Sequence, residues 1–402
     1  MQSSARTAEF SNPESKPTEV EVSIVMPCLN EADTLQQCIR KAQQALQASG
    51  IAGEIIVADN GSTDNSRAIA TASGARVVHV AEKGYGHALM GGIAAASGKF
   101  IIMGDADDSY DFGEIPKFVE QLRAGAELVQ GCRLPAGGGR IMPGAMPLSH
   151  RWLGNPMFSK LARLMFSSRI ADVYCGLRGF TKEFYNRIDQ RCTGMEFATE
   201  MILKACVFGA RISQVPITLW PDGRKSHPPH LRTVRDGWRT LRFYLMYSPK
   251  WLFLYPGLLS VLLGCLGYSV ALPALTVRGL TFDAHTLLFA SLAILLGYQS
   301  IWFAVSTKLF TIGEGLLPHD PRLDKFFNAV NLEKSLLAGV ATLAAGVILL
   351  VMAVNQWRMV GFGHLEYART MRWVVPGVTL TMLGFQTVLN GFFASILMMR
   401  RR

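Results

Sequence analysis

Apolar and polar positions divide the chain into two stretches of different character. Up to about Tyr247, short apolar runs alternate with amphipathic segments. VEVSIVMP (20–27) is β-branched and apolar, closed by Pro27, and predicts a strand. In CLNEADTLQQCIRKAQQAL, Leu35, Ile39 and Ala42 share one helical face, and Asn30 or Asp33 is placed to cap it. GEIIVADNGSTDNS (53–66) predicts a second strand running into a turn. A helix over 66–73, a strand over 75–81, a glycine-rich turn and a helix over 86–97 follow, then a strand in GKFIIMGDADD (98–108). Alternating strands and helices predict a Rossmann-like α/β domain, its mostly parallel sheet covered on both faces.

Beyond Tyr247, charge nearly vanishes for long stretches. Segments 251–276, 286–307, 335–355 and 373–398 are each long and apolar enough to cross a bilayer, which takes about 20 residues. Buried core helices rarely run this long without charge. Residues 1–20, rich in Ser, Pro, Glu and Thr, predict a disordered tail, with no signal peptide visible. Arg232, Arg235, Arg239, Arg242 and Lys250 precede the first span; Lys308, Arg322, Lys325 and Lys334 lie in the loop 308–334; Arg400, Arg401 and Arg402 end the chain. The loop 277–285 has only Arg278, against Arg358, Arg369 and Arg372 in 356–372. On balance this bias predicts a multi-pass integral membrane protein with both termini in the cytoplasm.

The predicted organisation is a tail (1–20), a cytoplasmic α/β domain (21–230), an amphipathic interfacial helix (231–250) and a membrane domain of four transmembrane helices (251–402). In LRTVRDGWRTLRFYLMY (231–247), Leu231, Val234, Trp238, Leu241 and Leu245 form one stripe and Arg232, Arg235, Arg239 and Arg242 its edge. That pattern suits the headgroup layer. A second candidate, HRWLGNPMFSKLARLMF (150–166), is interrupted by Pro156. The chain is basic, with net charge +10. With spans directly following, lipid phosphates are a better partner for that charge than nucleic acid. Seven scattered cysteines without C-x-x-C spacing predict neither a disulfide framework nor a zinc site.

Candidate chemistry sits at three strand ends: Asn30-Glu31, Asp59-Asn60 and Asp105-Ala106-Asp107. In α/β sheets ligands bind there. On a strand, Asp105 and Asp107 share a face, and two such carboxylates repel unless a cation intervenes. Mg²⁺ or Mn²⁺ prefers such oxygens and leaves room for substrate phosphates. Asp108 and Asp111 read as turn and cap residues. Asp59 could accept from a base N–H or a ribose hydroxyl, or simply make an Asp-Asn-Gly turn. EKGYGHALMGG (82–92) has the Gly84 and Gly86 spacing of a dinucleotide fingerprint, but Leu89 breaks it and the first βα turn lacks glycine.

VSIVMPCLNEADTL, EIIVADNGSTDNS and GDADDS resemble the family 2 glycosyltransferases of the GT-A fold. GCR (131–133), DVYCGLRGF (172–180) and GMEFATEMILKA (194–205) narrow the resemblance to dolichyl-phosphate mannose synthases and bacterial polyprenyl-phosphate glycosyltransferases. It covers about residues 20–235. It implies inverting transfer of a sugar from a nucleotide diphosphate, UDP- or GDP-linked, to a polyprenyl phosphate. Pro27, Leu29, Asn30, Glu31, Asp59 and Asn60 then line the donor. Asp105, Ala106 and Asp107 bind donor and metal, with Ser109 at a further metal position. Arg133 and Arg151 meet the acceptor phosphate, Arg224 lies over the donor, and Asp107, Arg133 and Arg151 carry catalysis. Leu29 stands where the family often has Tyr, and Asn60 where it has a second Asp. Gln-x-x-Arg-Trp, the mark of processive polysaccharide synthases, is absent. The alternatives are transfer to a lipid hydroxyl and a catalytically silent membrane anchor; a homo-oligomer is compatible with the spans.

Overall fold

The structure, a computed structural model, describes residues 19–224 and 233–399. The tail up to residue 18, the segment 225–232 with Leu231 and Arg232, and Arg400 to Arg402 lie outside the described residues. The chain forms two compact units, one up to Thr240 and one from Leu241 onward.

The first unit is built on strands β1 (Val22–Cys28), β2 (Gly53–Asp59), β3 (Arg76–His79), β4 (Phe100–Met103), β5 (Leu128–Cys132), β6 (Arg140–Ile141), β7 (Arg178–Thr181), β8 (Ile212–Pro216) and β9 (Thr218–Leu219). Helices α1 (Leu35–Ala48), α2 (Ser66–Ala72), α3 (Tyr85–Ala95), α4 (Ile115–Arg123), α5 (Asn155–Phe166), α6 (Lys182–Ile188), α7 (Glu196–Val207) and α8 (Thr233–Met246) connect or follow them, α8 running on into the second unit. Seven strands form one sheet in the order β3-β2-β1-β4-β7-β5-β8. All its pairings are parallel except those of β7, which runs antiparallel to both β4 and β5. β6 and β9 form a separate parallel pair.

β1 is buried along nearly its whole length, as a central strand covered on both faces must be. Pro27 does not close it; the strand continues to Cys28. Pairing with β4 stops at Val25↔Met103, and alternation turns the Pro27 nitrogen to that vacated side, so its missing N–H costs no ladder bond. On α1, Leu35, Cys38, Ile39, Ala42, Ala45 and Leu46 are buried. Neither Asn30 nor Asp33 stands at its N-cap; Thr34 does, and the Thr34 hydroxyl goes instead to the Ala106 carbonyl at 2.6 Å. Pro156 does not break the run either: residues 148–166 are helical throughout, and the π-helical turn over His150–Gly154 lies just before the proline. Leu148, Trp152, Leu153 and Leu164 around it are exposed, as is Trp238 on α8. All seven cysteines are free thiols.

The second unit carries α9 (Tyr255–Ala271), entered by a π-helical turn over Lys250–Leu254, then β10 (Thr276–Val277), β11 (Leu280–Thr281), α10 (Ala284–Gly313), α11 (Pro321–Ala329), α12 (Leu332–Met359) and α13 (Tyr367–Met398). Four of its helices are long and apolar enough to cross a membrane: Lys250–Ala271, Ala284–Gly313, Leu332–Met359 and Tyr367–Met398. The first is shorter than the apolar run 251–276. Pro273 has no N–H to extend the helical ladder, and a hairpin follows whose turn, Arg278-Gly279, has positive φ at both residues.

Small residues recur every seven positions on these helices: Gly257, Gly264 and Ala271; Gly339, Gly346 and Ala353; Gly377, Gly384 and Gly391. Apolar side chains gain nothing by leaving lipid, so close packing and polar contacts must hold such helices together. A Cβ at Gly346 would stand 2.4 Å from the Thr381 nitrogen, and one at Gly384 2.4 Å from the Leu343 nitrogen. α12 and α13 therefore meet backbone to backbone. Between α9, α10 and α13, the Tyr268 hydroxyl lies 2.6 Å from Ser291 Oγ and 3.1 Å from Thr379 Oγ1, and Tyr298 Oη lies 2.6 Å from Thr387 Oγ1. Gly384→Leu should lower stability by about 1–3 kcal/mol; an unchanged melting temperature in detergent would refute the close-packing account.

Candidate active site

The strand order β2-β1-β4 sets three chain segments side by side at the carboxyl edge of the sheet. Cys28 pairs with Asp59, and the Asn60 N–H donates to the Cys28 carbonyl at 2.9 Å. β4 ends at Met103, before the acidic residues. Asp105 and Asp107 are thus on a loop, and strand alternation does not align them, contrary to the expectation from sequence. Tertiary contacts hold the loop instead. The Thr34 hydroxyl donates to the Ala106 carbonyl, the Gly223 N–H to the Asp107 carbonyl at 3.0 Å, and the Trp220 N–H to the Ser109 carbonyl at 2.9 Å. Asp108 has φ +60° and pairs with Lys41 at 2.7 Å; Asp111 caps the turn at Phe112 by accepting from the Gly113 N–H.

The Tyr85 hydroxyl donates to Asp105 Oδ1 at 2.9 Å. Burial, then the charge of Asp107, pushes the Asp105 carboxyl up to about 6, against the pull of Tyr85, Arg224 and Arg133. Asp107 Oδ1 accepts from the Ser109 N–H at 3.0 Å and the Ser109 hydroxyl at 2.6 Å. Arg224 makes ion pairs with Asp107 (3.2 Å), Glu31 (3.1 Å) and Asp222 (2.6 Å). One guanidinium therefore joins residues 31, 107 and 222. Among the described residues no three His, Cys, Asp or Glu side chains form a metal cluster. Two mutually repelling carboxylates do fit a Mg²⁺-like ion, which takes one or two and completes its shell with water and substrate phosphate.

The other expected donor residues divide. Pro27 is half-buried and Leu29 is exposed at the edge. Asn30 has φ +61° and braces the neighbouring turn, its Oδ1 accepting from the Thr63 N–H at 2.8 Å. Asp59 is buried and folds back on its own turn: Oδ1 accepts from the Ser62 N–H at 3.0 Å and Oδ2 from the Gly61 N–H at 3.3 Å. Burial opposes its charge, but these bonds and the contact with His79 hold its carboxyl below the usual range. Asn60 turns to the next loop. Its amide donates to the Val80 and Glu82 carbonyls, and its oxygen accepts from the Gly84 N–H.

Arg133, at the end of β5, is buried. Its Nε and Nη2 grip Asp172 at 2.7 and 2.9 Å, and its Nη1 lies a long 3.4 Å from the Tyr110 hydroxyl. Most of the guanidinium fork is thus already engaged. Tyr110 in turn accepts from the Gly176 N–H at 2.8 Å. Arg151 sits on a π-helical turn (His150–Gly154) before α5, its guanidinium 5.5 Å from the Trp152 ring. Its Nε is buried without a hydrogen-bond partner. Reading the sequence missed Tyr85, Tyr110, Asp172 and Asp222. Asp172 carried a signal as the first residue of DVYCGLRGF, and Tyr85 lay in the stretch EKGYGHALMGG.

A mostly parallel α/β sheet with an acidic loop at its carboxyl edge, continuous in sequence with four apolar helices, defines the class. Residues 23–189 match the model of glycosyl transferase family 2, and residues 305–398 that of the glycosyltransferase family 2 C-terminal transmembrane region. The low-salt glycan biosynthesis hexosyltransferase Agl6 of Haloferax volcanii is 35% identical over 373 residues, 92% of this chain and 87% of that protein. The chain therefore belongs to glycosyltransferase family 2, with a GT-A-like domain ahead of its transmembrane region. A dolichyl-phosphate hexose transferase of H. volcanii is 27% identical, covering 49% of this chain and 82% of that one. An undecaprenyl-phosphate 4-deoxy-4-formamido-L-arabinose transferase of Klebsiella pneumoniae is 29% identical, covering 49% and 58%.

Burial works against the Asp172 charge, yet Arg133 and two backbone N–H groups hold its carboxyl below the usual range. A carboxyl lowered by folding lends stability that is full above the ordinary Asp range, near 3.9, and is lost as pH falls through the folded value. Asp172→Asn, which strands a buried Arg133, should cost about 3–5 kcal/mol at neutral pH. The variant should also melt with a weaker dependence on pH below about 4; equal stability of the two proteins at pH 7 would count against the pair.

Proposed function

We propose that this glycosyltransferase moves a sugar from a nucleotide diphosphate, UDP- or GDP-linked, to a polyprenyl phosphate of undecaprenyl or dolichyl type, with inversion. The observation that carries this reading is the charge at the carboxyl edge of the sheet: the Asp105 and Asp107 carboxylates for a metal-bound diphosphate, with Arg224 on Asp107 and Arg133 directly after β5. The transmembrane region and the two relatives named for polyprenyl-phosphate substrates support a lipid acceptor.

Asp105 and Asp107 would hold Mg²⁺ or Mn²⁺, with Ser109 beside them, and the ion would offset charge on the departing nucleotide diphosphate. Glu31, Asp59 and the edge residues Pro27, Leu29, Asn30 and Ala106 would border the nucleotide. Asn60 acts through the turn it braces. Arg224 would lie against the donor phosphates. A phosphate monoester is largely dianionic at neutral pH, with a second pKa near 6, so the acceptor needs no catalytic base. What the acceptor needs is offset of repulsion. Arg151, whose buried Nε has no hydrogen-bond partner, would have donor capacity to give it; Arg133 would give what Asp172 leaves over. The exposed Leu148, Trp152 and Leu153 flanking Arg151 suit insertion at the headgroup plane of the cytoplasmic leaflet.

Incubation with labelled UDP- and GDP-sugars, Mg²⁺ and polyprenyl phosphate should give a butanol-extractable product that mild acid cleaves. A product stable to mild acid would point instead to a lipid hydroxyl as acceptor. Asp107→Asn should cut transfer at least a hundredfold with the fold retained; full activity would refute the metal site. Arg151→Ala should lose far more rate with lipid acceptor than in hydrolysis of the donor, and equal losses would rule out its contact with the acceptor.

A further inference from the structure

The stretch EKGYGHALMGG, which carries Tyr85, is given no part in the proposed transfer, yet it is closely built into the first unit. Gly84 has φ +143°, and a Cβ there would lie 2.5 Å from the Thr193 carbonyl oxygen. A Cβ at Gly86 would lie 2.6 Å from the Cys192 carbonyl oxygen. The two backbones touch, and the His87 N–H donates to the Thr193 carbonyl at 3.1 Å. The other side is equally fastened: Asn60 Oδ1 accepts from the Gly84 N–H, and Lys83 Nζ donates to the Asn60 carbonyl, both at 2.8 Å.

The segment that receives this loop is itself pinned. Glu200 Oε2 accepts from the Arg191 and Cys192 N–H groups at 3.0 and 2.7 Å. Glu200 Oε1 pairs with Lys204 at 2.9 Å, both side chains buried, and Lys204 donates to the Asp189 carbonyl. A rigid path thus runs from α7 through residues 191–193 to the glycine loop. At its end stands Tyr85, whose hydroxyl meets Asp105 Oδ1 at 2.9 Å. The other oxygen lies beside Gly176, in space that only glycine leaves open: a Cβ there would come within 2.7 Å of Asp105 Oδ2.

We propose that Tyr85 is a positioning residue, held by the glycine loop and α7, that aims the Asp105 carboxylate for a divalent cation. The inference rests on the proposed metal role of Asp105 and Asp107. It gives the two glycines and the Glu200–Lys204 pair a common purpose. Partners that orient a metal ligand typically matter by 10- to 100-fold in metal affinity.

The test is Mn²⁺ binding followed by electron paramagnetic resonance. It uses the purified full chain in detergent with saturating UDP or GDP, comparing wild type, Asp107→Asn and Tyr85→Phe. Tyr85→Phe should bind Mn²⁺ about tenfold more weakly, with melting temperature and metal-free nucleotide affinity unchanged. Wild-type Mn²⁺ affinity in Tyr85→Phe, or a parallel loss of metal-free nucleotide binding, overturns the positioning role. If wild type takes up no Mn²⁺, or Asp107→Asn binds it equally well, the metal site itself fails and this inference with it.

Discussion

The first unit depends on how much like charge can be gathered at one edge of a sheet. Asp105 and Asp107 repel each other in a partly desolvated place, and Glu31 and Asp222 add to the negative charge nearby. The structure answers with one guanidinium, Arg224, shared among Glu31, Asp107 and Asp222, and with neutral donors from Tyr85 and Ser109. Such an arrangement is poised: it tolerates its own charge, but a divalent cation with a phosphate would satisfy it better. Arg224 can be shared this way because residues 220–224 are bonded backbone to backbone across the acidic loop.

The second arginine centre works by the opposite principle. Arg133 and Asp172 form a buried bidentate pair in which the charge is largely spent internally. Pairs of this kind add geometry more dependably than stability. Here the geometry ties the end of β5 to the loop before β7 and, through Tyr110, to the segment that carries the acidic residues. Arg133 is therefore a fixture of this part of the fold, while Arg151 Nε keeps unpaired donor capacity.

In the second unit the limiting resource is backbone contact. Small residues at seven-residue intervals let α12 and α13 approach closely, and hydroxyl contacts join α9, α10 and α13. Both devices are those expected where the surrounding medium offers no hydrophobic drive. The same seven-residue spacing stands in the sequence, but which helices it brings together does not.

The alternation of apolar strands with amphipathic helices, the four long apolar helices and the clustering of Asn30-Glu31, Asp59-Asn60 and Asp105-Asp107 at strand ends were all legible in the sequence. Each rests on local periodicity and on one rule about where parallel sheets bind ligands. What the sequence could not decide is which polar atoms spend themselves on the fold. Asn60 braces a turn, Arg133 answers Asp172, Tyr85 reaches Asp105 across 20 positions and Arg224 reaches Asp107 across 117. β4 stops at Met103, where the apolar run FIIM itself ends, so the loop position of the acidic pair was within reach of the sequence; the contacts that hold that loop were not. These pairings are long-range contacts between side chains with several possible partners, and only the packed chain selects among them.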